Sequence, residues 1–268
     1  MRATAKTLSS NNTYGTAKSR ADASWTKDGA AALLKSGYWF PQLPEYLQEK
    51  ILRRGRIVTA KRNSSLYRVG DFVDGMYAAL AGDLRAYVPD GAGGRVFLRP
   101  IGPGSWFGDI HLLDGSPRRS FSVRAKSQCS LLFLPKQDFH EIVDPDRDAY
   151  QAFVQLISMH VSRMVQLTLE TRSGAPTRTA RHLLHLARVH GTLAGESIEI
   201  DMRLSQADLA SLVGVSRQYM NELLARWAAD GIIEWHPNGK HVIDPKQLIE
   251  MLPLHEREPM ERGSDWWR

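Results

Sequence analysis

Between residues 56 and 135 the chain keeps repeating one unit, a short apolar or β-branched run closed by a glycine-containing turn. The runs stand at 57–59, 65–68, 76–80, 84–88, 96–98, 121–125 and 130–134, with Gly70, Gly82, Gly91, Gly102 and Gly104 between them. Strands recurring every ~8–12 residues with no helical period between them predict an antiparallel sandwich or barrel and exclude a parallel α/β sheet.

After Pro145 glycine disappears until Gly174, and apolar side chains fall at 149, 153, 156, 157, 161, 164, 165, 167 and 169, with His160 among them. This pattern predicts one helix from Asp144 and Pro145 to about residue 171, roughly 38 Å long at 1.5 Å per residue. Its apolar positions occupy more than one face. That suits a helix packed both on its own domain and on a second copy of itself; a helix internal to one core is the other reading. Ser173, Gly174, Ala175 and Pro176 end it and mark the sharpest domain boundary.

Composition excludes several classes. Hydrophobic residues are 43% and charged residues 24% of 268, the balance of a globular chain. No apolar run nears the ~20 residues of a membrane span and the N-terminus has no apolar signal region, so a cytoplasmic protein with no membrane partner is expected. The single cysteine, Cys129, provides neither a disulfide framework nor an iron-sulfur or zinc ligand set, and nine scattered His carry no ligand spacing. No metal, haem or cluster is expected. An enzyme is not expected either, because no Ser-His-Asp order or nucleotide-hydrolase phosphate loop appears; the glycines at 91, 93 and 94 read as a hairpin tip. The net charge of +6 is carried outside residues 174–268, where 11 Lys/Arg face 13 acids. Residues 1–36, rich in Ser, Thr, Ala, Asn and Lys, read as a disordered basic arm.

The C-terminal third holds the most informative motif. Ser205 with Asp208 forms a capping-box variant, Leu209, Leu212 and Val213 face inward, Gly214 stops the helix and Ser216 caps the next. Met220, Leu223, Leu224 and Trp227 then point inward, the recipe for a helix-turn-helix. Two apolar runs around Asn238 and Gly239 predict a β-wing with Lys240 at its tip. Arg217, Gln218 and Asn221 are predicted to face base edges in a major groove, and Ser205, Ser216, Arg203 and Lys240 to hold phosphates.

Glycine-punctuated barrel, long helix and winged helix-turn-helix, over roughly residues 38–250, resemble the cyclic-AMP receptor protein and fumarate-nitrate regulator (Crp/Fnr) family of bacterial transcription factors. Residues 214–218 match the family's turn and recognition-helix start, and residues 107–113 followed by 118–125 resemble its phosphate-binding cassette. The resemblance implies an α+β fold: a cyclic-nucleotide-binding-like jelly-roll sensor at 37–143, a dimerisation helix at 144–173, a DNA-binding domain at 174–252 and a tail at 253–268. It also implies a homodimer on a palindromic double-stranded operator, with RNA polymerase as a further partner. Gly108, Asp109, Arg119 and Ser120 become the effector residues, with Arg119 on a cyclic phosphate. Three departures stand out: Asp109 where nucleotide-binding members carry Glu, and His111 and Phe121 at positions usually small. The effector is therefore open between a cyclic nucleotide, another ligand and none, Arg119 pairing with a carboxylate such as Asp109 in the last case. Glu222 replaces a base-contacting Arg of the family. A signalling module whose C-terminal helices contact protein is the alternative function.

Overall fold

The computed structural model describes residues 25–257 other than 38, 92, 171, 172, 203, 237, 238 and 255, with backbone alone at 163–170, 189 and 240. The 1–24 part of the predicted arm lies outside them. Residues 27–35 of that arm form helix α1 (Lys27–Lys35) instead, capped by Thr26, whose hydroxyl accepts the Gly29 N–H. Ala30, Leu33 and Leu34 recur at helical spacing and are buried in the barrel's outer core, which corrects the reading of this stretch as disordered. A 3-10 turn (Phe40–Gln42) and α2 (Glu45–Arg54) follow.

Two four-stranded antiparallel sheets make the barrel: β1 (Arg56–Ala60), β8 (Cys129–Pro135), β3 (Gly75–Ala81) and β6 (Trp106–Phe107) in one, β2 (Ser65–Tyr67), β7 (Ser122–Ala125), β4 (Leu84–Pro89) and β5 (Arg95–Ile101) in the other. Every run read from the sequence is a strand; β6, only two residues long, was not legible. Strand β3 is buried along its whole length because both faces are covered. Tyr77 and Ala79 belong to the barrel interior, whereas Met76, Ala78 and Leu80 meet the flanking helices. Helix α3 (Ile110–Leu113) lies between β6 and β7.

The predicted helix from Asp144 is present as one helix that starts three residues later, at Arg147, and a separate short helix precedes it. After α4 (Lys136–Val143), Asp144 is the C-cap, its N–H donating to the His140 carbonyl, and Pro145 has no N–H to continue the ladder. Asp146 starts α5 (Arg147–Glu170) instead, its Oδ1 accepting the N–H groups of Asp148 and Ala149 at 3.1 Å. Phe153 and Leu156 of α5 pack inward, while Tyr150, Val154 and Val161 leave an apolar stripe exposed.

The C-terminal domain comprises α6 (Ala175–His190), β9 (Gly191–Ala194), β10 (Ser197–Asp201), α7 (Gln206–Val213), α8 (Arg217–Ala229), β11 (Ile233–Glu234), β12 (Lys240–Ile243) and α9 (Pro245–Glu250), with sheet order β11-β12-β10-β9. Its core also takes in Tyr87 and Phe97 from the barrel's β4–β5 hairpin. Arg85 of that hairpin reaches across to Asp208. Among the described residues no helix is long and apolar enough to cross a membrane.

Candidate functional site

Helix α7 begins as its sequence dictates: the Ser205 hydroxyl accepts the Asp208 N–H at 3.1 Å while the Asp208 carboxylate accepts the Ser205 N–H at 3.2 Å. Gly214 ends it at φ 73° and ψ 45°, a left-handed conformation that favours glycine, and the Gly214 and Val215 N–H groups both return to the Ala210 carbonyl. Ser216 then caps α8, its Oγ accepting the Tyr219 N–H at 3.1 Å. Met220, Leu223, Leu224 and Trp227 are buried beneath the helix. Arg217, Gln218 and Asn221 are exposed. The three side chains therefore stand on a rigid helix whose first turn also offers uncommitted backbone N–H groups to an anion.

Gln218 is not wholly free, since its Nε2 donates to Glu222 Oε1 at 3.2 Å one turn on. Glu222 thus acts on the reading face through its neighbour. The wing forms by antiparallel pairing of Ile233 and Glu234 with Ile243 and Val242. Lys240, the predicted tip residue, opens β12, and its side chain lies outside the described residues, as do Asn238 and Arg203. Beneath the wing His241 is buried and stacked on Trp235 at 3.8 Å. Burial, followed by the nearby His236, pulls its pKa down to about 4.

The second candidate seat lies in the barrel. Gly108 holds φ 82°, and a Cβ there would sit 2.9 Å from Arg119 Nη1, so glycine lets that guanidinium approach the backbone. Arg119 is buried and already engaged: Nη1 donates to the Gly108 carbonyl at 2.8 Å, and Nη2 donates to the Gly75 carbonyl at 2.6 Å and to Asp74 Oδ1 at 2.5 Å. The Tyr67 ring lies 4.2 Å from its guanidinium carbon. The carboxylate that neutralises Arg119 is thus Asp74, not Asp109. Asp109, also buried, meets His160 of α5, Oδ2 to Nδ1 3.0 Å. Ser120 is exposed, so the structure brings Arg119, Gly108 and Asp109 together and leaves the fourth residue at the rim.

Aromatic side chains occupy the interior around this seat. Tyr77 stacks on Phe133 at 4.7 Å and on Phe107 at 5.6 Å, and Phe121 meets Tyr67 edge-on at 5.9 Å. Among the described residues the Tyr67 hydroxyl and Arg119 Nε have no hydrogen-bond partner, and Tyr67 feels Arg119 and Arg99 on one side and Asp109 and Asp74 on the other. Sequence reasoning missed Asp74, His160 as a partner of Asp109, and Arg85; only His160 gave a signal, a polar residue on an apolar helix face. Cys129 is buried, its thiol pushed up to about 11 by burial. Among the described residues no group of three or more His, Cys, Asp or Glu is placed to hold a metal ion.

Two family models match, a cyclic nucleotide-binding domain over residues 57–146 and a Crp-like helix-turn-helix domain over 177–251, together more than half of the chain. The chain is 26% identical over 201 residues, 70% of its length and 84% of the other protein's, to a CRP-like cAMP-activated global transcriptional regulator of Mycobacterium tuberculosis. Among solved structures, FixK2 from Bradyrhizobium japonicum superposes with a TM-score of 0.64 at 16% identity, covering 74% of this chain and 98% of that one. The c-di-GMP-responsive global regulator CLP of Xanthomonas campestris gives 0.62 at 19%, covering 75% and 99%. The identities of the two structures carry the fold alone; the models and the curated relative carry the assignment. The chain belongs to the Crp/Fnr family, as a transcription regulator that joins a cyclic-nucleotide-binding type of sensing domain to a helix-turn-helix DNA-binding domain.

Proposed function

We propose that the protein is a cytoplasmic homodimer that reads a palindromic operator through Arg217, Gln218 and Asn221, with Ser205, Ser216 and Lys240 on phosphates. The observation that supports this most is the capped helix α8, whose apolar face is buried and whose three polar side chains stand exposed at its N-terminal turns. The exposed stripe Tyr150, Val154 and Val161 on α5 is the dimer seam, and two copies set their recognition helices about 34 Å apart. The sensor runs to residue 143, the seam helix to 173 and the DNA-binding domain to 252; RNA polymerase is the partner at the promoter. Fluorescence anisotropy on the protein's own upstream region, with Arg217→Ala beside the parent, tests the DNA reading. Sequence-independent binding by both ends it in favour of protein contacts.

For the effector, Asp74 supplies the negative charge that a cyclic phosphate would bring to Arg119. Its side chain is 54% exposed and can swing out, so a cyclic nucleotide binds by exchanging with that carboxylate, held by Arg119, Gly108, Asp109 and Ser120. Isothermal titration with cyclic AMP and cyclic GMP, on the parent and on Asp74→Asn, tests this. Heat from neither variant with either nucleotide leaves the barrel without a nucleotide ligand.

A further inference from the structure

The outer face of the β2-β7-β4-β5 sheet carries a cleft of about 220 Å3 whose lining includes Arg68, Arg95, Arg124, Ser65, Ser122 and Tyr87. The pleat explains the gathering. Ser122 and Arg124 are two residues apart on β7 and project outward, while Val123 and Ala125 fill the barrel. Register then sets Tyr87 opposite Ser122 and Ser65 opposite Arg124.

None of the three guanidiniums makes an ion pair with a described residue. Arg124 is anchored through Nε on the Asn63 carbonyl at 3.0 Å, which leaves its terminal nitrogens for another partner. Arg95 lies 5.1 Å over the Tyr87 ring, and Lys126 approaches the same ring at 5.9 Å. The acid of the adjoining turn, Asp90, is turned to backbone, its Oδ1 accepting the Gly94 N–H at 2.7 Å. Burial holds the Lys126 ammonium below the usual lysine range, and the charges of Arg85 and Arg95 add to this against the opposing pull of Asp208 and Asp83. Guanidiniums gathered without an ion-pair partner among the described residues repel one another, and an anion between them removes that repulsion.

We propose that this cleft binds a phosphate group carried by a small molecule, gripped by the Arg95 and Arg124 forks with Arg68 and the serine hydroxyls completing the shell. The volume is below the ~300 Å3 at which drug-sized pockets begin, so the cleft admits the phosphate and only a few further atoms. The site lies on the opposite side of the sheet from Arg119, and it stands whether or not the operator reading does.

The test is isothermal titration of the full-length protein with inorganic phosphate, at ionic strength held constant with sodium chloride. Saturable uptake of one ion per chain is expected, weakened about tenfold or more by Arg95→Gln or Arg124→Gln and unchanged by Arg53→Gln, an exposed arginine on α2. Melting temperatures check folding, and Arg68→Gln replaces any variant that melts early. Flat heats with the parent protein overturn the proposal. So does a second pattern: no phosphate uptake, but a parent that prefers long-flanked to short-flanked DNA and an Arg95→Gln protein that has lost that preference, which would make the cleft a contact for the DNA backbone. Operator binding by the parent in the same buffer is read separately, so its failure cannot be confused with either result.

Discussion

Replacing Arg85 by Ala should uncouple the DNA-binding domain from the barrel. The Arg85 side chain is 3% exposed and lies between two acids, Nη2 3.1 Å from Asp83 Oδ2 and Nη1 2.6 Å from Asp208 Oδ2. It also covers the Phe97 ring, 5.3 Å away, in the apolar contact between the domains. Taking one partner from a fully buried ion pair costs about 3–5 kcal/mol, chiefly because the other charge stays buried and unpaired. Here two carboxylates would be left facing each other. Water reaches them in part, since Asp83 is 12% and Asp208 23% exposed, which lowers the expected cost to about 2–3 kcal/mol. At 1.4 kcal/mol per tenfold, the docking equilibrium shifts by roughly 30- to 150-fold.

Differential scanning calorimetry reads the change directly. A transition shared by the two domains in the parent should separate in Arg85→Ala, and proteolysis within residues 173–176 should quicken. The cycle of Arg85→Ala with Asp208→Asn, whose amide oxygen still caps α7, should show a coupling of about 1 kcal/mol or more. A melting profile and cleavage rate indistinguishable from the parent's, with no coupling in the cycle, would refute the reasoning and reduce the contact to incidental touching.

Three shorter predictions follow from the site. Asn221→Ala should cost about 1–3 kcal/mol of operator affinity and relax preference at one base pair, measured by anisotropy on single-base variants; equal loss on all sequences would make Asn221 a backbone contact. Ser216→Ala removes the oxygen that accepts the Tyr219 N–H and should lower stability by about 1 kcal/mol in urea melts, with Ser216→Asp restoring it; no change would mean the cap is dispensable. His241 is held neutral in the fold, with a pKa of about 4, so below the ordinary histidine value of 6.5 the unfolded chain binds a proton that the folded chain refuses. Stability of the DNA-binding domain should therefore fall as pH drops from 6.5 to 4 and be flatter in His241→Phe, an outcome a pH series of melts decides.

How much of this was legible in the sequence depended on whether a residue answered to its neighbours in the chain. Ser205, Asp208, Gly214 and Ser216 act within four residues of themselves, so the helix-turn-helix could be read off in full. The barrel strands other than β6 were equally plain because each is a short apolar or β-branched run closed by a local turn. Arg119 was singled out through the family resemblance, yet its partner was not: Asp74 lies 45 residues away, brought there by β3, and no local pattern distinguishes it from other turn acids. Helix α1 was misread for a related reason. Polar and small residues surround its few apolar positions, and only the barrel surface that covers Leu33 and Leu34 makes them a core.

Asp208 shows how the two domains can be sensed by one side chain. It accepts from the Ser205 N–H and hydroxyl, which fixes the start of α7, and from Arg85 of the barrel. Beside it, the Phe97 N–H of the same hairpin donates to the Ser211 hydroxyl at 3.0 Å, one turn along α7. The hairpin therefore touches the first helix of the helix-turn-helix directly, a route between barrel and DNA-binding domain that does not pass through α5. A ligand can use that route only if it binds docked and undocked forms with different affinity, and the operator must then alter ligand affinity by the same factor. Arg85→Ala thus gives a second reading. If the hairpin carries the coupling, the variant loses the ligand's effect on DNA affinity while both separate affinities remain measurable; if α5 carries it, the coupling survives undocking.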